Sequence, residues 1–332
     1  MALIDRLLAW HEDAAVIAWW RTWLGWALRW LTPRRRRVIL AIVSVLIGTR
    51  YLLAMMSWAQ PLPVPTDVIG SSLVVIAVFT LFWLCFTGAA RFASLPGIVR
   101  RHPQLTLHLL FWGFLLLLWN TSSDDRGWRE VAVGIAVVWP PLLWRLGYLL
   151  MFGQRGKVAG TRFTDHLLCL FPWYAGFTVV GKGLDYLARH EAHDEDALAR
   201  CQLAGIKLLL LAVLWKAALS AINGLVYGDG RTRVSQALGG LTFTLLRDFA
   251  QLLAQGGDAP AWQSWASIYF ELVRQTLEIA VTGHVIVGVL RLFGFNIFRN
   301  SYKPLLAETV VQFWGRFDYY FKEVLVDFFF LP

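Results

Sequence analysis

The chain has 332 residues, 57% of them hydrophobic and 16% charged, with 18 Trp, 22 Phe and a formal net charge of +9. A mean hydropathy of +0.53 means more apolar surface than a water-soluble core of this size buries, which excludes an ordinary soluble domain and makes a lipid bilayer the expected solvent. The pI near 9.7 would suit a nucleic-acid binder, but the basic residues flank apolar stretches without any groove-reading motif, so the expected partners are membrane lipids and no nucleic acid.

Residues 1–33 make the first expected element. Trp19, Trp23, Trp26 and Trp30 recur at helical spacing among Glu12, Asp13, Arg21 and Arg29, the pattern of an amphipathic helix that lies in the membrane interface and does not cross it. The run TPRRRR at 32–37 stops this helix and anchors the next. From 34 to 332 a single membrane domain is expected. Apolar stretches follow at 38–59, 68–90, 104–120, 130–152, 166–181, 203–226, 234–254 and 265–293, against the roughly 20 residues a spanning helix needs. Two of them leave their crossing open: 166–181 is broken by Pro172 and Gly176, and 234–254 carries Arg247 and Asp248.

Loop charge supports the alternation. Arg34 to Arg37, Arg91 with Arg100 and Arg101, Arg155 with Lys157 and Arg162, Arg231 with Arg233, and Arg291 with Arg299 and Lys303 fall on one side, while 60–67, the acidic 182–202 and 255–264 fall on the other. By the positive-inside rule both termini are cytoplasmic. The expected fold is all-α, a polytopic transmembrane bundle of about eight spans, one for each apolar stretch, with an N-terminal interfacial helix and a C-terminal amphipathic helix. Cys85, Cys169 and Cys201 have no CxxC spacing and read as small hydrophobes.

A charged side chain at membrane depth costs about 2.5 to 3.5 kcal/mol, so each one needs a partner or a wet cavity. Glu271, Arg274 and Glu278 share one helical face and can pair among themselves. Lys207 can snorkel, whereas Lys216 sits inside an apolar run and calls for a carboxylate or water. His284 lies deeper, either as a neutral imidazole bonded to a neighbouring helix or as a general base. His190, His193 and Asp194 in ARHEAHDEDALAR lack the HExxH pattern, and no metal site is expected there.

After Pro304, the residues Glu308, Gln312, Arg316, Tyr319, Glu323 and Asp327 recur at helical intervals as a polar stripe, beside an apolar stripe of Leu306, Val310, Phe313, Phe317, Tyr320 and Val324. Asp318 and Lys322 form an i, i+4 pair next to it. The stripes predict one amphipathic helix, lying either in the headgroup plane or with its polar side toward a cleft in the bundle.

The segment 284–332 resembles the membrane-bound O-acyltransferase family, close to its bacterial alginate and teichoic-acid acyltransferase branches. The match rests on Gly294, Phe295, Asn300, Pro304, Phe313, Trp314, Arg316, Phe317, Asp327, Phe328, Phe330 and Pro332, in order and without a gap. The element LFPWYAG at 170–176 is loosely similar to a further family motif. The resemblance implies transfer of an acyl group, acetyl being the expected one, from an acyl-CoA or acyl-carrier thioester to a hydroxyl of a polysaccharide or lipid. It implies no bound cofactor, a bacterial cytoplasmic-membrane location, and a tunnel faced by the polar stripe. It also implies lining by Asn300, Trp314, Arg316 and Glu323. Asp318 stands where the family carries a histidine, and His284 where many relatives carry an acidic residue, so the expected catalytic pair is His284 and Asp318. The family histidine usually held catalytic lies on a helix beyond the position of Pro332, so the chain is expected to be C-terminally incomplete or divergent. The alternative is an acyltransferase-like membrane protein that works as a transporter or scaffold.

Overall fold

A computed structural model describes residues 9–59, 62–120, 126–170, 183–229, 232–237, 239–241, 245–247, 254 and 260–326. Among these the ordered elements are helices: α1 (Ala14–Trp30), α2 (Pro33–Trp58), α3 (Val68–Ala90), α4 (Pro103–Asn120), α5 (Arg126–Val138), α6 (Pro140–Gln154), α7 (Phe163–Leu170), α8 (Gly183–Arg189), α9 (Glu195–Ala221), α10 (Arg233–Ala237), α11 (Ala261–Leu292), α12 (Val310–Phe317) and α13 (Tyr319–Leu325). The described residues contain no strand, only an isolated antiparallel bridge between Glu191 and Phe295.

Four helical segments are long and apolar enough to cross a membrane: α2, α3, Ala261–Leu292, and Glu195–Val226, in which α9 runs on through a π-helical turn. Between 17 and 39% of their apolar windows is buried, so most of that apolar surface faces outward, as lipid but not water would allow. Their starts follow from the sequence. Thr32 and Pro33 open α2, the Asp67 carboxylate accepts from Gly70 N at 2.9 Å at the head of α3, and Asp194 accepts from Ala197 N at 2.7 Å at the head of α9.

The chain packs as two compact units, Met1–Leu31 with His190–Lys322, and Thr32–Arg189 with Glu323–Pro332. The N-terminal helix thus belongs with the second half of the chain and does not stand apart.

In the Thr32–Arg189 unit, helices meet along narrow lines of one residue per turn. Arg36, Leu40, Ser44, Gly48, Leu52 and Met56 are the buried line of α2, and Gly70, Val74, Val78 and Phe82 that of α3. Glycines allow the closest approach: a Cβ on Gly134 would lie 2.8 Å from Val74 Cγ2, and one on Gly153 2.6 Å from Ala89 O. The stretch 130–152 is two helices, α5 and α6, joined by Trp139, which itself keeps αR dihedrals of −66° and −46°. Pro140 and Pro141 supply no N–H, so the helix kinks there without unwinding.

In the other unit α9 and α11 form an antiparallel pair. A Cβ on Gly205 would lie 2.6 Å from Gly288 O, and Gln202 Nε2 donates to Leu292 O at 3.2 Å. Helix α1 lies along the first half of α9: Trp20 Nε1 donates to Gln202 Oε1 at 2.9 Å, Arg21 pairs with Asp196 at 3.2 Å, and Ile17 and Leu28 join Leu198, Ala199 and Leu203 in a small core. Trp19, Trp23, Trp26 and Trp30 point away, 51–69% exposed. After α11 the backbone turns at Gly294 (φ 85°) and pairs with the segment before α9, Ala192 N donating to Gly294 O at 2.7 Å and Asn296 N to His190 O at 2.8 Å.

Two expectations change, and a third falls largely outside the described residues. The stretch 234–254 is not one helix: α10 ends at Ala237, Gly239 and Gly240 take φ of 70° and 86°, and Leu245 N and Leu246 N both donate to Val226 O. Of 166–181, α7 covers the first residues, and 171–182, with Pro172, Gly176 and most of the LFPWYAG element, lies outside the described residues. The C-terminal amphipathic segment is a 3-10 turn (Pro304–Leu306) followed by α12 and α13, not a single helix. Thr309 Oγ1 accepts from Gln312 N at 3.1 Å and Asp318 Oδ1 accepts from Phe321 N at 3.1 Å, so two N-caps divide what the stripes predict as one helix. Asp327, Phe328, Phe330 and Pro332 lie outside the described residues.

Candidate functional site

The structure sets Asn300 beside Asp318 and against α11 at Gly283, the residue before His284. This asparagine is 7% exposed, and its Cβ packs on α11 where a Cβ at Gly283 would come within 2.8 Å of it, one residue from His284. Its backbone carbonyl accepts from Tyr319 N at 2.8 Å and its Oδ1 from Tyr320 N at 3.1 Å. Its side-chain amide also lies near enough to the Asp318 carboxylate to favour its charged form. Asn300 therefore joins α11 to the start of α13.

His284 is 7% exposed in α11, with Nδ1 against the Ala280 carbonyl of the preceding turn. A carbonyl only accepts, so Nδ1 carries the proton and Nε2 holds the lone pair, the form a general base requires. The imidazole is hydrogen-bonded, as one sequence reading expected, but to its own helix and not to a neighbour. Asp318 lies between α12 and α13, where burial raises its pKa against the opposing effect of the Phe321 N–H and the Asn300 amide. It is a stronger base than a solvated aspartate.

The other expected lining residues do not converge. Arg316 donates from Nη1 to Leu306 O at 3.0 Å, and its own carbonyl accepts from Tyr302 N at 2.9 Å, so its guanidinium ties the 3-10 turn to α12. Trp314 is 51% exposed, edge-on to Phe317 and beside outward-facing Val310 and Val311 at 73 and 83%. Val310, Val311 and Trp314 of α12 are thus on the outside, as for a helix seated in lipid. Glu323 sits half-buried on α13. A cavity of about 340 Å³ in the Thr32–Arg189 unit is lined by Leu81, Leu84, Phe114, Ile135 and Leu142 among others, and none of the expected site residues lines it.

Among the described residues no group of three or more His, Cys, Asp or Glu could hold a metal. Asp194 is instead the N-cap of α9. Glu271 and Arg274 pair at 2.8 Å as their spacing suggests, while Lys216 is exposed on α9. Tyr320 is the site residue that sequence reasoning placed only in the apolar stripe: it is 1% exposed, and its hydroxyl donates to Phe298 O at 2.9 Å. A glycine directly before a histidine inside a spanning helix was the available signal that another part of the chain comes close there. Compared with family models, curated proteins and solved structures, the chain matches none.

Proposed function

We propose that this chain is a membrane-embedded O-acyltransferase that moves an acyl group, acetyl being the expected one, from a CoA or carrier thioester to a hydroxyl of a polysaccharide or lipid. The observation that supports it is the closure of the segment carrying Asn300 and Asp318 onto a membrane-length helix at Gly283, the residue before His284. In the reaction the acceptor oxygen attacks the thioester carbonyl while its proton passes to His284 Nε2. The thiolate then leaves with that proton. In this reading Asp318, beside Asn300, is the second basic group, and exclusion of water from the site would suppress hydrolysis.

For the finer membrane arrangement we propose six crossings in a bacterial cytoplasmic membrane, with both termini cytoplasmic: α2, α3, α4, the kinked α5–α6 unit, α9 and α11. The antiparallel α9–α11 pair and the docking of α1 on α9 support this count.

A second reading, a non-catalytic transporter or scaffold, draws on the satisfaction of the cluster from within: Asp318 caps α13, and Arg316 is spent on Leu306 O. Thiol release from acetyl-CoA by protein in nanodiscs, with and without a polyol acceptor, separates the two. The acyltransferase reading expects acceptor-dependent release that falls about 100-fold or more in His284→Gln, the scale of a lost general base. Equal rates in wild type, His284→Gln and Asp318→Asn would sink the site assignment, and no release from wild type favours the scaffold.

A further inference from the structure

A second polar cluster lies in the same unit and includes Arg299, the residue before Asn300. Lys207 is the last basic residue before the apolar run 208–215 of α9, and Arg291 closes the apolar run of α11. The two helices cross just there, since a Cβ on Gly205 would lie 3.1 Å from Arg291 Cβ. Arg291 turns its guanidinium back to Ile297 O, with Nε at 3.2 Å and Nη2 at 2.7 Å, which holds the segment carrying Arg299 against the helix end. Arg299 lies over the Tyr302 ring at 5.5 Å, and neither it nor Lys207 forms an ion pair among the described residues.

His11 completes the group. It sits in a 3-10 turn (Trp10–Glu12) packed on α9, only 7% exposed. Its Nε2 is 3.3 Å from Glu12, and its Nδ1 is buried with no hydrogen-bond partner. Burial first, and then the charges of Lys207, Arg299 and Arg291, lower its pKa, with Glu12 acting the other way. A buried nitrogen without a partner, placed in the field of three cations, is a group whose counterpart is missing. The counterpart that such a field selects is an anion with several acceptor oxygens, and Arg and Lys together favour phosphate.

The geometry points to a phosphate-binding site formed by Lys207, Arg299, Arg291 and His11, at the depth where apolar helix surface gives way to charge. The phosphate belongs to an anionic lipid headgroup or to a soluble phosphorylated molecule such as a nucleotide-bearing thioester. Binding at this site is read without turnover, so it stands or falls apart from the acyltransferase proposal.

The test uses the full chain in two arms. In one, protein is exchanged into nanodiscs of phosphatidylcholine with or without phosphatidic acid, and retained lipid is counted by native mass spectrometry. In the other, ADP is titrated against protein in phosphatidylcholine nanodiscs and thermal unfolding is followed. Wild type is expected to retain phosphatidic acid or to be stabilised by ADP, and whichever arm responds names the source. Lys207→Gln and Arg299→Gln each weaken that response about tenfold, as loss of one charge-assisted hydrogen bond does, while Arg299→Lys keeps most of it. Glu12→Gln, at an exposed carboxylate that does not threaten folding, removes the nearest negative charge and must strengthen it. No response in either arm, or a response that Arg299→Gln and Glu12→Gln both leave unchanged, overturns the site.

Discussion

Asn300 shows how much one side chain can organise. Its amide serves Tyr320 N on one side and the Asp318 carboxylate on the other, and its Cβ fits against Gly283. Asn300→Ala leaves a buried N–H and a half-buried carboxylate short of partners, which costs about 1–3 kcal/mol. Thermal unfolding in detergent should show it as a drop larger than that of Arg316→Ala, which loses one exposed bond. Asp318 carries a pH signature of its own. Burial raises its pKa in the folded state above the unfolded value, so folding favours the protonated form: the group's contribution is fully present below the unfolded pKa and is lost as pH rises through the raised one. Wild type should therefore gain stability relative to Asp318→Asn as pH falls from neutral toward 4. A difference between the two melting curves that stays flat, or widens in the other direction, would mean that the carboxylate is not desolvated.

At the scale of elements the α9–α11 crossing is the most sensitive joint. A methyl at Gly205 would meet Gly288 O at 2.6 Å, backbone that has nowhere to move, whereas a methyl at Gly288 meets Gly205 O and the flexible Leu209 side chain at 3.1 Å. Gly205→Ala should cost about 1–3 kcal/mol, and more than Gly288→Ala, when both are melted in the same detergent. Small residues let helix backbones approach, and either substitution acts through that distance alone. The helix starts were legible in the sequence because Asp13, Thr32, Asp67 and Asp194 are side chains that accept from free N–H groups. The same chemistry misled at Asp318. Its i, i+4 spacing to Lys322 reads as a surface pair on a continuous helix, but as an N-cap it ends one helix and starts another. Gly239 and Gly240 were likewise visible, yet the apolar residues around them fit a span by composition, and only the positive φ angles show the break. Of the site, His284, Asn300 and Asp318 were readable as a set, while Tyr320 and His11 were not, because burial by a distant segment leaves no local pattern.

For the whole molecule, the count of crossings follows from which segments touch. Helix α1 lies on α9, and the segment 190–192 that leads into α9 is bonded to 294–296, which follows α11. In the six-crossing proposal those three parts of the chain share one side of the membrane, so the chain crosses an even number of times between the end of α1 and residue 190, and twice more with α9 and α11. The six-crossing proposal therefore places four crossings before α9. With α2, α3, α4 and the kinked α5–α6 unit as those four, the proposal puts the acidic residues 183–202 on the side of Arg291, Arg299 and Lys303. The basic loops at 34–37, 91–101 and 153–162 remain on that side as well, as the positive-inside rule asks, and Arg231 and Arg233 become the exception. Single cysteines at His193 and Lys303, both exposed, decide the matter in a background with Cys85, Cys169 and Cys201 replaced. In intact cells both should resist a membrane-impermeant maleimide, and in inverted vesicles both should react. If only one of the pair is labelled from a given side, α9 and α11 do not run antiparallel across the same bilayer, and the six-crossing arrangement fails with them.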